Sequence, residues 1–160
     1  MTTNDALEVV RVFKFGGHVG LALPIAGAMA WSVRAFGAGR DSFPVLVPVP
    51  MDARSLRHRG FNPAERAARE VSIELGLPVL DVLRKVVRTR PQSKTTHEAR
   101  AANVKRAFDI HPEGASGLAG RGVLLVDDLV TTGATAAACA AVLFGAGAAT
   151  VSVVCFGRAL

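Results

Sequence analysis

The chain has 160 residues, a length that suits one domain and allows roughly 70% of the unfolded surface to be buried without a disulfide or metal. Half of the residues are hydrophobic and a fifth are charged, which excludes a disordered chain. The net charge of +6 favours an anionic partner, either nucleic acid or a phosphorylated small molecule, although a solvated basic surface gives the same balance. We therefore expect a single domain over residues 1–160.

Metal-binding and membrane-spanning patterns are missing from the sequence. Cys139 and Cys155 lie in apolar stretches without a CxxC or CxxH pair, which excludes a zinc ribbon in this sequence and favours reduced, buried thiols. The four histidines lack metal-ligand spacing. Residues 19–31 are apolar but too few to cross a bilayer, and Pro24 interrupts them. With no signal-peptide pattern, the sequence predicts a cytoplasmic protein without membrane insertion.

The first elements in chain order are two helices and a strand. Apolar residues at helical spacing, followed by glycines, predict helices over 5–14 and about 18–37. FPVLVPVP, at 43–50, is a β-branched run bounded by prolines and predicts a buried strand.

A polar, basic segment and a third helix follow this strand. Residues 51–62 are predicted to form a loop or the entry to a helix. A helix over 63–76 is indicated because Asn62 can cap its first turn and Gly76 can end it. Residues 79–89 are ambiguous, and we expect part of this segment to be extended.

The second half of the chain alternates loops with buried elements. The basic segment 90–106 begins as a loop and turns helical near its middle, and 114–122 is a loop. Strands are predicted over 123–128 and 148–156, with an alanine-rich helix over 133–146 between them. Buried strands that alternate with helices predict an α/β fold with a parallel sheet.

Residues 123–135, VLLVDDLVTTGAT, combine an acidic pair with a phosphate-binding type of turn. Ligands of open parallel sheets bind at the carboxyl ends of the strands. We expect the chain to bend after Val126, so that Asp127 and Asp128 both face a crevice, where carboxylates suit sugar hydroxyls or hydrated Mg²⁺. The amides of a glycine-containing turn at a helix N-terminus suit a phosphate. The pattern therefore predicts a site for a sugar 5-phosphate.

VLLVDDLVTTGAT resembles the phosphoribosyl pyrophosphate (PRPP) motif of type I phosphoribosyltransferases. The segments RVFKFGG, VPVPMDARSLRHRGFNPAERAARE and PQSKTTHEARAANVKRAF are similar to blocks of the ComF/GntX family, the competence-associated members of that group. Members of that family usually carry an N-terminal zinc ribbon, which this sequence lacks. The resemblance implies an α/β fold, an open parallel sheet flanked by helices in a Rossmann-like core, with a small N-terminal helical hood region.

The resemblance also implies a role for each part of the site. The catalytic acids Asp127 and Asp128 would bind the ribose hydroxyls and, through water, Mg²⁺. The loop after the first strand would bind pyrophosphate, and segment 90–106 would be a hood that closes over the ligand. The remaining candidates are Thr131, Thr132, Gly133, Ala134 and Thr135 for the 5-phosphate; Asp52, Ala53, Arg57 and Arg59 for pyrophosphate; and Gln92, Lys94, Arg100 and Asn103 in the hood.

The implied activity is Mg²⁺-dependent transfer of a phosphoribosyl group from PRPP to, or from, an unknown nucleobase-like or amine acceptor. A homodimer and a link to competence and DNA uptake are also implied. Two alternatives stay open. The first is a non-catalytic protein that binds PRPP or a nucleotide in DNA uptake. The second is a basic DNA-binding module, although no helix-turn-helix, zinc finger or aromatic-stacking pattern is present and tyrosine is absent.

Overall fold

The computed structural model describes residues 22–35, 45–86, 107–111 and 114–158. The predicted helix at 5–14 and the predicted hood at 90–106 lie outside these ranges. In chain order, the elements are α1 (Ala22–Ala35), β1 (Val45–Pro48), α2 (Ala53–Arg59), α3 (Pro63–Leu75), β2 (Leu83–Lys85), β3 (Phe108–Ile110), a 3₁₀ turn (Ala115–Gly117), β4 (Gly122–Val130), α4 (Ala134–Gly145) and β5 (Thr150–Arg158).

The main sheet is parallel, with the strand order β1-β4-β5. β1 pairs with the first part of β4, from Val45 opposite Val123 to Pro48 opposite Val126. On the other edge of β1, Val79 forms an isolated parallel bridge to Leu46. β1 lies within the predicted segment 43–50, whereas β4 and β5 overlap the predicted strands 123–128 and 148–156 and each end two residues later. Buried apolar runs predicted all three, because strands covered on both faces carry few polar residues.

Successive residues of the strands face two separate cores, as the period of a strand requires. Val45, Val47 and Leu125 pack on one face with Cys139 and Leu143 of α4. On the opposite face, strand residues pack with α1 and α3; they are Leu46, Leu124, Val126 and Val154, against Ile25, Met29, Ala67 and Val71. The predicted open parallel sheet flanked by helices is therefore confirmed.

β2 and β3 form a small antiparallel sheet, with Leu83 opposite Ile110 and Lys85 opposite Phe108. An ion pair of 2.8 Å joins the Arg84 guanidinium to the Asp109 carboxylate across it. The prediction that part of 79–89 is extended is confirmed. Among the described helices, none is long and apolar enough to cross a membrane.

Candidate functional site

The site lies where the pairing between β1 and β4 ends. The last β1–β4 pair joins Pro48 to Val126, and the Val49 amide donates to the Val126 carbonyl over 2.9 Å. β1 stops there, but β4 continues beside β5 as far as Val130. The β1-facing edge of the last β4 residues is thus left open.

The chain connections place a crevice at this opening. From β1, the chain passes through α3 to the bridge at Val79, on the side away from β4. From β4, it passes through α4 to β5, in the opposite direction, and α3 and α4 cover opposite faces of the sheet. Such a switch point is where open α/β sheets bind ligands.

Two buried carboxylates occupy the β4 side of this crevice. Asp127 and Asp128 are 9% and 7% exposed, and the Asp128 amide donates to Asp127 Oδ1 over 2.9 Å. Both border a pocket of about 250 Å³. The predicted bend after Val126 is wrong, because β4 keeps its register with β5 through both acids. The other residues that line the pocket are Val49, Pro50, Met51, Asp52, Ser55, Arg59, Asn62, Pro63, Ala64, Lys85, Phe108, Leu129 and Thr135.

The turn after β4 forms a second, smaller cavity, which Asp127 also borders. Gly133 caps the start of α4 with a φ of 77°, which favours glycine over any residue with a side chain. The Thr132 hydroxyl accepts from the Ala134 amide over 3.3 Å. The cavity measures about 30 Å³ and is lined by Asp127, Leu129, Val130, Thr131, Gly133, Ala134, Thr135 and Ala136. Four of the five predicted phosphate-binding residues thus line one small cavity, and the fifth, Thr132, stabilises the turn through its hydrogen bond.

The opposite wall is formed by α2, which occupies the predicted pyrophosphate loop. Asp52 caps this helix: its Oδ1 accepts from the Ser55 amide over 2.9 Å and its Oδ2 from the Ser55 hydroxyl over 3.0 Å. The hydrogen bond from the Ser55 amide is the main cause of a lowered Asp52 pKa, with help from the Ser55 hydroxyl and the charge of Lys85. The Asp52 carboxylate is therefore ionised at neutral pH.

Only some of the residues predicted to bind pyrophosphate line the pocket. Asp52 and Arg59 border the pocket, whereas Ala53 and the exposed Arg57 are not among its lining residues. Asn62, predicted as a cap, accepts from the Ala64 amide over 3.1 Å and donates to the Val49 carbonyl over 3.0 Å. It thereby ties the start of α3 to the end of β1. The hood candidates Gln92, Lys94, Arg100 and Asn103 lie outside the described residues.

Lys85 is a site residue that the sequence analysis missed. It ends β2 and borders the pocket, with its Nζ atom 3.6 Å from Asp52 Oδ2. Its cross-strand partner Phe108 lines the same pocket. The sequence does contain one signal for Lys85, which is its spacing from Leu83. Residues two apart in a strand lie on the same face, and Leu83 is buried.

The donor set fits a magnesium ion that is carried partly by a substrate. No group of three or more His, Cys, Asp or Glu side chains that could hold a metal occurs within the described ranges. Mg²⁺ commonly takes one or two carboxylates and completes its shell with water and substrate phosphates. Asp127 and Asp128 could supply those carboxylates.

Comparisons with known proteins agree with this geometry. Residues 21–159 match the family model described as phosphoribosyl transferase domain. The chain is 34% identical over 116 residues to the DNA utilization protein YhgH of Salmonella typhi, covering 72% of this chain and 49% of that protein. It is 30% identical over 130 residues to competence protein F of Haemophilus influenzae, covering 79% and 56%. The chain thus spans about half the length of the curated relatives it matches.

Solved structures match at the level of the fold. An adenine phosphoribosyltransferase structure aligns with a TM-score of 0.53 and 18% identity, over 88% of this chain and 71% of that one. The Saccharomyces cerevisiae adenine phosphoribosyltransferase aligns with a TM-score of 0.51 and 19% identity, over 88% and 69%. Together with the family match and the two relatives, these findings confirm the resemblance to the ComF group, and the chain belongs to the phosphoribosyl transferase domain family.

Proposed function

We propose that this protein binds PRPP with Mg²⁺ and transfers its phosphoribosyl group to, or from, an acceptor. The observation that carries the proposal is that Asp127 borders two cavities of different character and that Asp128 borders the larger of them. The small cavity in the turn after β4 suits a 5-phosphate, and the larger pocket is lined by two cations, Arg59 and Lys85. A ribose held by the carboxylates would have its phosphate and its pyrophosphate directed to opposite sides.

Each part of the site would then have one task. The carboxylates accept hydrogen bonds from the ribose 2- and 3-hydroxyls and fix the ring. The α4 turn holds the 5-phosphate at a helix N-terminus. Arg59 and Lys85 face the pyrophosphate, and arginine offers paired donors for its oxygens. Segment 90–106 would act as the hood that excludes water.

The transfer requires no covalent bond to the protein. A lone pair of the acceptor forms a bond to ribose C1 while the C1–oxygen bond to pyrophosphate breaks, and pyrophosphate leaves with the electron pair. The developing negative charge on pyrophosphate is stabilised by Arg59 and Lys85. Bound Mg²⁺ would neutralise pyrophosphate charge in a pocket that contains three carboxylates (Asp52, Asp127, Asp128) and two cations among its described residues.

The wider setting is part of the same proposal. The acceptor would be a nucleobase-like molecule or an amine, and the protein would act as a cytoplasmic homodimer. The names of the relatives, DNA utilization protein and competence protein F, support a role in the uptake or use of DNA. Because neither name is that of a transferase, the second candidate is a protein that binds PRPP or a nucleotide without turnover.

The test is thermal unfolding with PRPP, with and without Mg²⁺. At a hundred times its dissociation constant, PRPP with Mg²⁺ should stabilise the protein by about 2.7 kcal/mol. Asp128→Asn should fold normally by circular dichroism and lose most of this gain, because an amide replaces one acceptor with a donor. The exposed Asp81→Asn, outside the pocket, is the matched control and should respond like the parent.

Two results would contradict the proposal in different ways. Absence of any melting shift at millimolar PRPP would refute binding. Binding without pyrophosphate release, across a panel of bases and amines, would refute transfer and leave the non-catalytic candidate.

A further inference from the structure

α2 is held in place without a hydrophobic anchor. None of its seven residues, all within the described part of the chain, is buried. A helix of two turns is unstable by itself in water, so its ends must hold it. Gly60 closes one end in the left-handed conformation, with a φ of 84° and its amide donating to the Leu56 carbonyl. Asp52 caps the other end.

The Asp52 carboxylate has two partners on different elements. Within α2 it accepts from the Ser55 amide and hydroxyl. Its Oδ2 also lies 3.6 Å from Lys85 Nζ on β2, where the Asp52 side chain is 23% exposed and the Lys85 side chain 38% exposed. A carboxylate therefore lies beside Lys85 and Ser55, two groups that could also donate to a phosphate oxygen.

From this arrangement we infer that Asp52 is an internal competitor of the ligand's pyrophosphate. In the empty pocket it holds Lys85 and the start of α2, and pyrophosphate must displace it from Lys85 to bind. This inference rests on the proposed function and adds to it a residue that sets how selectively the site holds polyphosphates. Asp52 weakens binding of bare pyrophosphate, and it favours ligands whose charge is offset by Mg²⁺.

The physical cost has two parts. Lys85 must give up one anion to accept another, so the gain from its new contact is reduced. Pyrophosphate must also approach a third carboxylate beyond Asp127 and Asp128, and like charges at a few ångström repel strongly in a partly buried pocket. A metal that neutralises the ligand reduces the second part, so the effect of Asp52 should be largest without metal.

The experiment is calorimetric titration of inorganic pyrophosphate into the full chain, first with a metal chelator and then with Mg²⁺. Asn is as good a helix cap as Asp and can keep the bond to the Ser55 amide, so Asp52→Asn removes the charge and retains the fold. We expect Asp52→Asn to bind metal-free pyrophosphate about three- to tenfold more tightly than the parent. With Mg²⁺ the gain should shrink. Asp81→Asn, which lies beside Arg69 and outside the pocket, should show no gain.

A second variant separates competition from a structural effect. Lys85→Met should weaken pyrophosphate binding, and in that background Asp52→Asn should gain less than in the parent, because the competition for Lys85 is gone and only the repulsion by the carboxylate is removed. A structural effect of Asp52 would give the same ratio in both backgrounds.

The possible outcomes distinguish this inference from the proposed function. Equal or weaker metal-free binding by Asp52→Asn, when the parent binds, would overturn the competitor role alone. An undiminished gain in the Lys85→Met background would also overturn it. Failure of both proteins to bind pyrophosphate with or without Mg²⁺ would overturn the proposed function as well.

Discussion

Cys139 shows how the site changes the chemistry of a neighbouring side chain. It is fully buried on α4, and burial, assisted by the charge of Asp127, raises the pKa of its thiol from 9.0 to about 12. Because only the thiolate is a good nucleophile, Cys139 should resist iodoacetamide in the folded protein. Cys155 is half-buried on β5 and is the internal comparison.

The prediction concerns the pH dependence of this alkylation. Between pH 7 and pH 10 the rate at Cys139 should stay near zero, since its thiolate forms only near pH 12. In urea its rate should rise with pH as for an ordinary thiol. Peptide mass spectrometry gives the modified fraction at each cysteine. An alkylation rate at native Cys139 that levels off between pH 9 and pH 10, as it does for a thiol with a pKa near 9.0, would contradict the raised pKa.

Single site residues differ in how far the sequence could reveal them. Asp127, Asp128 and the turn from Thr131 to Thr135 are contiguous, so their order alone predicted both cavities. Lys85 and Phe108, 23 positions apart in the sequence, reach the pocket as an antiparallel pair of β2 and β3. No local pattern encodes such a meeting, since it depends on how β2 and β3 pack beside β1.

At the scale of elements, α2 depends on its caps and should respond to changes at Gly60. Alanine there must adopt a φ of 84°, which L-residues disfavour by about 1–2 kcal/mol. Gly60→Ala should therefore lower the free energy of unfolding in urea by about 1 kcal/mol. Gly27, inside α1, is the control: a Cβ there meets nothing within 4 Å, so Gly27→Ala should raise stability by up to about 1 kcal/mol.

The reverse order, with Gly27→Ala destabilising and Gly60→Ala neutral, would contradict both assignments.

The absence of a buried face on α2 explains why the sequence left this helix undecided. A helix without a buried face shows no apolar periodicity, and the periodic signal is what marks helices such as α3. β3, with three residues, is too short for alternation to be detected.

β4 illustrates how an element's end depends on its neighbours. The acidic pair suggested that the strand stops at Asp128, yet it runs to Val130. The reason is β5, whose residues pair with β4 as far as Arg158 opposite Val130. Two charged groups are tolerated inside a strand here because the shorter β1 leaves a pocket beside them.

At the scale of the whole molecule, the sequence predicted a parallel sheet flanked by helices but not the order of the strands in that sheet. Buried runs indicated strands, and helices between them indicated a parallel sheet. That β4 lies between β1 and β5 follows from opposite crossovers through α3 and α4. The crevice is a product of that order, so the motif alone predicts which residues bind the ligand but not which residues face them.

The two cores on opposite faces of the sheet give the last prediction. Leu46 packs with α1 and α3, Leu125 packs with α4, and both are fully buried. If residues 1–160 form a single domain, Leu46→Ala and Leu125→Ala should each lower the free energy of unfolding by about 2–5 kcal/mol. Each should also keep one transition in urea, with the same slope followed by circular dichroism and by Trp31 fluorescence.

Ile73→Ala provides the control, because Ile73 is 76% exposed and should change stability by no more than about 0.5 kcal/mol. Trp31 lies on α1, so its fluorescence reports the α1 face, whereas circular dichroism reports all helices. In Leu125→Ala, an early loss of helix without a change at Trp31 would show that the α4 face unfolds separately. That result would contradict a single cooperative domain, because β4, the strand that carries the acidic pair, would then belong to two independent cores.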